Sequence, residues 1–69
     1  MYKYEIIIYW SNEDDVYIAE VPELSGCMTD GKTFDEVLEN VTHIIKEWME
    51  IAKELGRKIP KPKGRLIYA

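Results

Sequence analysis

The chain has 69 residues, of which 46% are hydrophobic and 32% are charged, and its formal net charge is −4. This length suits one domain, near the size at which a single core is only marginally stable, and the composition is that of a folded globular protein. No apolar run reaches the roughly 18 residues of a membrane-spanning helix, and the N-terminus lacks the basic-then-apolar order of a signal peptide. A lone cysteine leaves no partner for an intrachain disulfide and is typical of a reducing compartment. We therefore expect one cytoplasmic domain over residues 1–69.

Charge is unevenly distributed along the chain. Residues 1–52 carry twelve Asp or Glu and three Lys, a balance of −9, whereas residues 53–69 carry six Lys or Arg and one Glu, a balance of +5. An acidic body repels nucleic acid and attracts basic proteins, at rates that fall as salt is added. Two interpretations of the basic tail remain open: a solvated segment beyond a helix, or a segment lying on the acidic body of its own or a neighbouring subunit.

Two β-prone segments open the chain. Residues 2–10 predict a strand, in which successive side chains point to opposite faces. One face carries Tyr2, Tyr4, Ile6, Ile8 and Trp10, and the other carries Lys3, Glu5, Ile7 and Tyr9. The polar residues 11–15 separate this segment from residues 16–21, as the loop of an antiparallel hairpin does. Pro22 cannot donate a ladder hydrogen bond, so the second strand ends before it. One helix covers only one face of a sheet, which makes Ile7 and Tyr9 candidates for a second, partner-covered surface.

A long helix follows a short third strand. Residues 27–30 lie between two glycines and predict that strand, and Thr33 with Glu36 fits a capping box. Apolar residues then recur at steps of three and four over 34–55, as on the buried face of a helix. The β-prone residues 65–68 predict a last edge strand. The fold class is α+β: a three- to four-stranded, mainly antiparallel sheet with one long helix packed on one face, in the order β-β-β-α-β.

The residues that could carry chemistry do not form a convincing catalytic constellation. His43 is the only histidine, and it lies in mid-helix with Glu39 and Glu47 four residues away on either side, a pattern typical of a surface residue. Cys27 has no second ligand at zinc spacing. The acidic turn at residues 13–15 lacks the glycine and the ligand periodicity of a calcium loop. We predict no catalytic residue, no metal site and no cofactor.

Several short strings occur together in a fixed order. Pro22-Glu23-Leu24 precedes Gly26-Cys27, and Gly31-Lys32-Thr33 precedes Glu36 at the start of the helix. In this order and spacing, the chain resembles a short, single-domain member of the HicB-like antitoxin family over residues 2 to about 55. The resemblance implies a partial ribonuclease-H-like sheet, an oligomer, and a role in masking a small basic toxin of the HicA type, a ribonuclease that cuts mRNA with a histidine.

Two departures from the family pattern bear on function. Ser25 stands where many members carry a proline, which loosens the turn without abolishing it. The helix-turn-helix or ribbon-helix-helix segment with which longer members bind operator DNA does not occur in this sequence, so we expect no DNA binding from this chain alone.

Residues and resemblance together favour a non-enzymatic, acidic interaction protein. The predicted partner-binding residues are two aromatic anchors and five acidic steering residues: Trp10, Tyr17, Glu13, Asp14, Asp15, Glu23 and Asp30. Either aromatic could instead fill the chain's own core. Two other functions remain open, namely a stand-alone homo-oligomeric domain without a toxin, and a minimal metal-dependent nuclease, which would need several carboxylates converging on a metal.

Overall fold

The structure is a computed structural model that describes residues 3–62. Its elements, in chain order, are strands β1 (Ile7–Ser11), β2 (Val16–Glu20) and β3 (Met28–Gly31) and helix α1 (Phe34–Leu55). The strands form one antiparallel sheet in the order β1-β2-β3, and α1 contacts β2 and β3. The predicted α+β class and element order are confirmed. The strand predicted over residues 65–68 lies outside the described residues.

Strand β1 starts later than the predicted strand over 2–10. Within the described residues, its pairing with β2 begins at Ile7. Opposite the residues that precede Ile7, Pro22 has no N–H, and Val21 donates its own N–H to the carbonyl of Cys27 at 3.0 Å, so the regular β1–β2 ladder does not extend past Ile7. For the same reason β2 ends one residue before the predicted bound of 16–21.

A compact turn joins β2 to β3. Leu24 donates its N–H to the carbonyl of Val21 and Cys27 donates to that of Leu24, both at 3.0 Å. All three side chains are buried. Because these hydrogen bonds hold Cys27 in the turn, β3 begins one residue later than predicted for 27–30.

Helix α1 has a cap at each end. The hydroxyl of Thr33 accepts the N–H of Glu36 at 3.0 Å. The Glu36 carboxylate accepts the N–H of Lys32, at 2.7 Å, rather than that of Thr33, so the predicted reciprocal bond is displaced by one residue. Gly56 ends the helix in a left-handed conformation with φ 68°, which glycine adopts without steric cost.

The core lies between α1 and the side of the sheet that faces it. It consists of Tyr4, Ala19, Val21, Leu24, Cys27, Val37, Val41, Ile45, Met49 and Ala52. Gly31 allows β3 and α1 to approach, because a Cβ there would lie 2.5 Å from the backbone nitrogen of Val37. Any side chain at this position would therefore force the strand and the helix apart.

The helix is longer than the sheet that it covers. Its 22 residues span about 33 Å, whereas a five-residue strand spans about 17 Å. The ends of the apolar stripe are therefore uncovered, and Phe34 is 51% exposed and Leu55 66% exposed. Within residues 3–62, no helix is both long and apolar enough to cross a bilayer.

The segment after α1 folds back on the body of the molecule. The Trp48 indole donates to a carbonyl of the β2–β3 turn at 2.9 Å, and the Arg57 guanidinium lies 5.7 Å from the centroid of the same indole. Farther on, Ile59 packs against the core and the hydroxyl of Tyr4 donates to the carbonyl of Pro60. The first part of the basic tail therefore lies on its own subunit.

Candidate binding surfaces

The loop between β1 and β2 carries an acidic hairpin, defined as Glu13, Asp14 and Asp15. All three side chains are exposed. Asp15 closes the turn with φ 54° and donates its N–H to the carbonyl of Ser11 at 2.9 Å. Aspartate and asparagine tolerate this left-handed conformation better than most residues. The turn therefore concentrates three carboxylates at one end of the sheet.

An aromatic row, defined as Trp10, Tyr17 and Phe34, lies beside the acidic hairpin. Trp10 and Tyr17 are directly opposite each other in the β1–β2 pairing, and their rings meet edge to face with centroids 5.0 Å apart. Tyr17 and Phe34 meet in the same way at 6.1 Å. Trp10 is 45% exposed, whereas Tyr17 is half-buried and packs against the core. The structure thus brings two predicted anchors together with the predicted acidic loop.

Phe34 was not among the predicted site residues. The sequence assigned it to the buried helix stripe, as the first apolar residue after the cap. It is half-exposed because α1 begins beyond the edge of the core, and its ring meets that of Tyr17 edge to face. Its place in the first turn of the helix, one turn before the first buried residue, could have indicated that it is exposed.

Glu23 lies apart from the acidic hairpin. It follows β2, whereas the hairpin precedes β2, so the two are at opposite ends of that strand. The Glu23 carboxylate accepts the backbone N–H of Glu5 at 3.2 Å, and the residue is half-buried. This hydrogen bond ties the β2–β3 turn to the segment before β1.

Asp30 lies on the face of the sheet turned away from α1, which we call the open face: Ile7, Tyr9, Ile18, Glu20, Met28 and Asp30. The pairing aligns Tyr9 with Ile18, Ile18 with Asp30, and Glu20 with Met28. The neighbouring Gly31 meets the helix, and successive strand residues point to opposite faces. The predicted site residues therefore divide between the hairpin corner, the turn at Glu23 and the open face.

A hydrogen bond orders the polar part of the open face. The Tyr9 hydroxyl donates to the Glu20 carboxylate at 2.6 Å. This bond, which the neutral phenol donates, raises the pKa of Tyr9 above its ordinary value, and the negative charge of Glu20 adds to the effect. Because the two side chains stand on neighbouring strands, the bond holds the carboxylate over the sheet instead of leaving it free in solvent.

The groups with possible chemistry are dispersed. His43 is exposed on the outer side of α1, and Cys27 is buried, which raises the pKa of its thiol. Among residues 3–62, no group of three or more His, Cys, Asp or Glu side chains is placed to hold a metal ion. The described surfaces instead expose aromatic and apolar side chains next to carboxylates.

A three-stranded antiparallel sheet covered by one long helix places the molecule among small α+β proteins. The chain belongs to the HicB-like antitoxin family, since a family model described as a HicB-like antitoxin of bacterial toxin-antitoxin systems matches residues 4–66. No solved structure is significantly similar to the chain.

Curated relatives of similar length come from archaea and a cyanobacterium. UPF0150 protein Ta0767 of Thermoplasma acidophilum is 42% identical over 65 residues, which cover 94% of this chain and 93% of that protein. UPF0150 protein ssl0259 of Synechocystis is 37% identical over 57 residues, 83% of this chain and 77% of that protein. A UPF0150 protein of Archaeoglobus fulgidus is 38% identical over 53 residues, 77% and 75% of the two chains.

Proposed function

We propose that this chain is a non-enzymatic antitoxin that binds and masks a small basic ribonuclease of the HicA type in the cytoplasm. Family membership supports the antitoxin role. The observation that supports a basic partner is the acidic hairpin, which presents three exposed carboxylates beside the aromatic row. An acidic surface next to large aromatic side chains suits a partner that is basic and partly apolar.

In this proposal the two features act at different steps. The exposed carboxylates of the hairpin, with Glu23 and Asp30 adding to the field, attract the toxin and raise the rate of encounter. Trp10 then serves as an anchor, since buried aromatic side chains often dominate the energy of an interface. Its ring is held by the edge of Tyr17 and by a hydrogen bond from its indole to Asn12 at 3.0 Å. Such support reduces the entropy lost on binding.

The steering step is tested with the double variant Glu13→Lys and Asp15→Asn. Asparagine keeps the left-handed turn, so the variant changes charge without straining the hairpin. Its association rate with a HicA-type ribonuclease inactivated at the catalytic histidine should fall about tenfold at low salt. The difference from wild type should vanish at high salt, because screening removes long-range attraction. Stopped-flow fluorescence measures the rate.

The matched control is Glu47→Lys with Glu50→Gln, which makes the same change in net charge on exposed positions of α1. It should slow association much less, because these positions lie away from the hairpin. Equal rates for the two variants would mean that net charge alone matters, and the steering role of the hairpin would be abandoned.

A second function is supported by a separate observation. The open face exposes apolar side chains, with Ile7 and Tyr9 each 42% exposed and Met28 52% exposed, and such a face can serve self-association in a homo-oligomeric domain that has no toxin partner. Equilibrium sedimentation of the purified chain, alone and with the ribonuclease, separates the two functions. A stable homo-oligomer that ignores the ribonuclease would favour the second.

A further inference from the structure

The open face combines exposed apolar side chains with a shallow depression. Ile7, Tyr9 and Met28 are each exposed by two-fifths or more of their surface. Ile18 is half-buried at the centre of the face. A groove of about 280 Å³ is lined by Ile18, Met28, Thr29 and Asp30. This groove gives an apolar side chain from a partner a place to enter beside a carboxylate.

The charge on this face has one sign. None of the three strands contains a lysine or an arginine. The two charged side chains of the open face are Glu20 and Asp30, on neighbouring strands. Tyr9 holds the Glu20 carboxylate in place at 2.6 Å, and the backbone of Asp30 is tied to α1, because the Asn40 amide donates to its carbonyl at 2.8 Å. The Glu20 carboxylate is therefore held in place before a partner binds, and the backbone that carries Asp30 is fixed against α1.

We propose that the open face binds a basic protein surface that presents lysine or arginine side chains next to apolar ones. The cations pair with Glu20 and Asp30, and the apolar side chains cover Ile7 and Tyr9 and enter the groove at Met28. The charge of the face determines the kind of partner, because a partner that buries these carboxylates must supply cations to pair with them.

A second copy of this chain fits the face less well. Packed face to face, two copies would bring four carboxylates from Glu20 and Asp30 into one poorly hydrated layer, and the strands would supply no cation to neutralise them. Like charges in an interface oppose association. The Arg57 side chain does not supply a cation either, because it lies over Trp48 on the helix side of its own subunit.

This inference rests on the proposed function, because that function supplies the basic partner. It adds a second contact surface for that partner. The acidic hairpin joins the ends of β1 and β2 and so borders the open face. The hairpin also adjoins Trp10 and Tyr17 on the other face of the sheet, so a toxin attracted by the hairpin can contact the aromatic row and extend around the ends of the strands to the open face.

The test uses a short synthetic peptide that alternates lysine with leucine, titrated into the isotope-labelled full chain while amide chemical shifts are recorded. The largest shift changes should map to the open face, at residues of β1, β2 and β3. The double variant Glu20→Gln and Asp30→Asn should bind the peptide about tenfold more weakly at low salt, because two partly desolvated charge pairs are lost. Glutamine preserves an acceptor for the Tyr9 hydroxyl, so the fold is retained.

One further test variant and two control variants decide the outcome. The matched variant Glu47→Gln with Glu50→Gln should leave the peptide affinity unchanged, and Met28→Gln should weaken it where Leu55→Gln does not. Peptide shifts confined to the hairpin or to α1 would overturn the proposal. So would shifts on the open face of the free chain that depend on protein concentration, since they would show a second copy there. Because the peptide replaces the toxin, a chain that binds it on this face but inhibits no ribonuclease would lose the proposed function and keep this surface.

Discussion

Cys27 shows how the setting of one residue decides its chemistry. Its thiol is buried among core side chains, 4% exposed, and burial disfavours the thiolate, so its pKa lies above the ordinary value. Thiolate is the reactive form of cysteine. The residue therefore acts as a small apolar side chain at the end of the β2–β3 turn.

The raised pKa predicts slow alkylation of the native protein. Iodoacetamide should modify Cys27 at pH 8 far more slowly than it modifies the same thiol in urea-unfolded chain, and mass spectrometry measures both rates without interference, since the chain has one cysteine. The native state holds the thiol proton more tightly than the unfolded state does. The protonated thiol therefore contributes to the stability of the native state fully at pH values below the unfolded-state pKa, and this contribution is lost as pH rises through the folded-state pKa. Native and unfolded rates that agree would contradict the burial of this thiol.

At the scale of single residues, the sequence could predict which residues of one strand share a face, but not which residues of neighbouring strands stand opposite each other. The alternation over residues 2–10 correctly separated Trp10 from Ile7 and Tyr9, because strand facing has a strict period of two. It could not show that Asp30 would stand opposite Ile18 on the open face, since that placement depends on the pairing register. The exposure of Phe34 was not predicted for another reason. A periodic pattern identifies the buried face of a helix, but it does not show where the sheet that covers this face ends.

Among the elements, α1 depends most on local signals. The hydroxyl of Thr33 caps the N–H of Glu36, and Asp35 with Glu36 places negative charge near the positive end of the helix dipole. Strand bounds depend instead on hydrogen-bond partners that lie far along the chain. That difference explains why the helix could be placed from its sequence while β1 began five residues later than predicted.

The cap provides a prediction at this scale. Thr33→Ala should lower the free energy of unfolding by about 1 kcal/mol, because the N–H of Glu36 loses its acceptor. Thr42→Ala is the matched control: this hydroxyl only donates to the carbonyl of Leu38 within the helix, at 2.9 Å, and alanine is the better helix former. Urea unfolding followed by circular dichroism gives both values. If the two substitutions cost the same, the cap does not stabilise the helix as the structure indicates.

On the scale of the whole molecule, α1 covers one side of the sheet, and among residues 3–62 the other side is the open face at which we propose that a partner binds. The acidic hairpin and the open face border each other, and the described part of the basic tail is held on the body by Tyr4 and Trp48. In the proposed function, the exposed carboxylates and apolar side chains of these two surfaces are the contacts that a basic toxin would make.

The most direct test of this reading is cleavage of RNA by a HicA-type ribonuclease in the presence of increasing amounts of the purified chain. The account predicts that cleavage stops once the chain reaches stoichiometric amounts, and that inhibition weakens at high salt because attraction to the acidic body is screened. A folded, active ribonuclease that cuts RNA at the same rate with a large excess of the chain would contradict the antitoxin function.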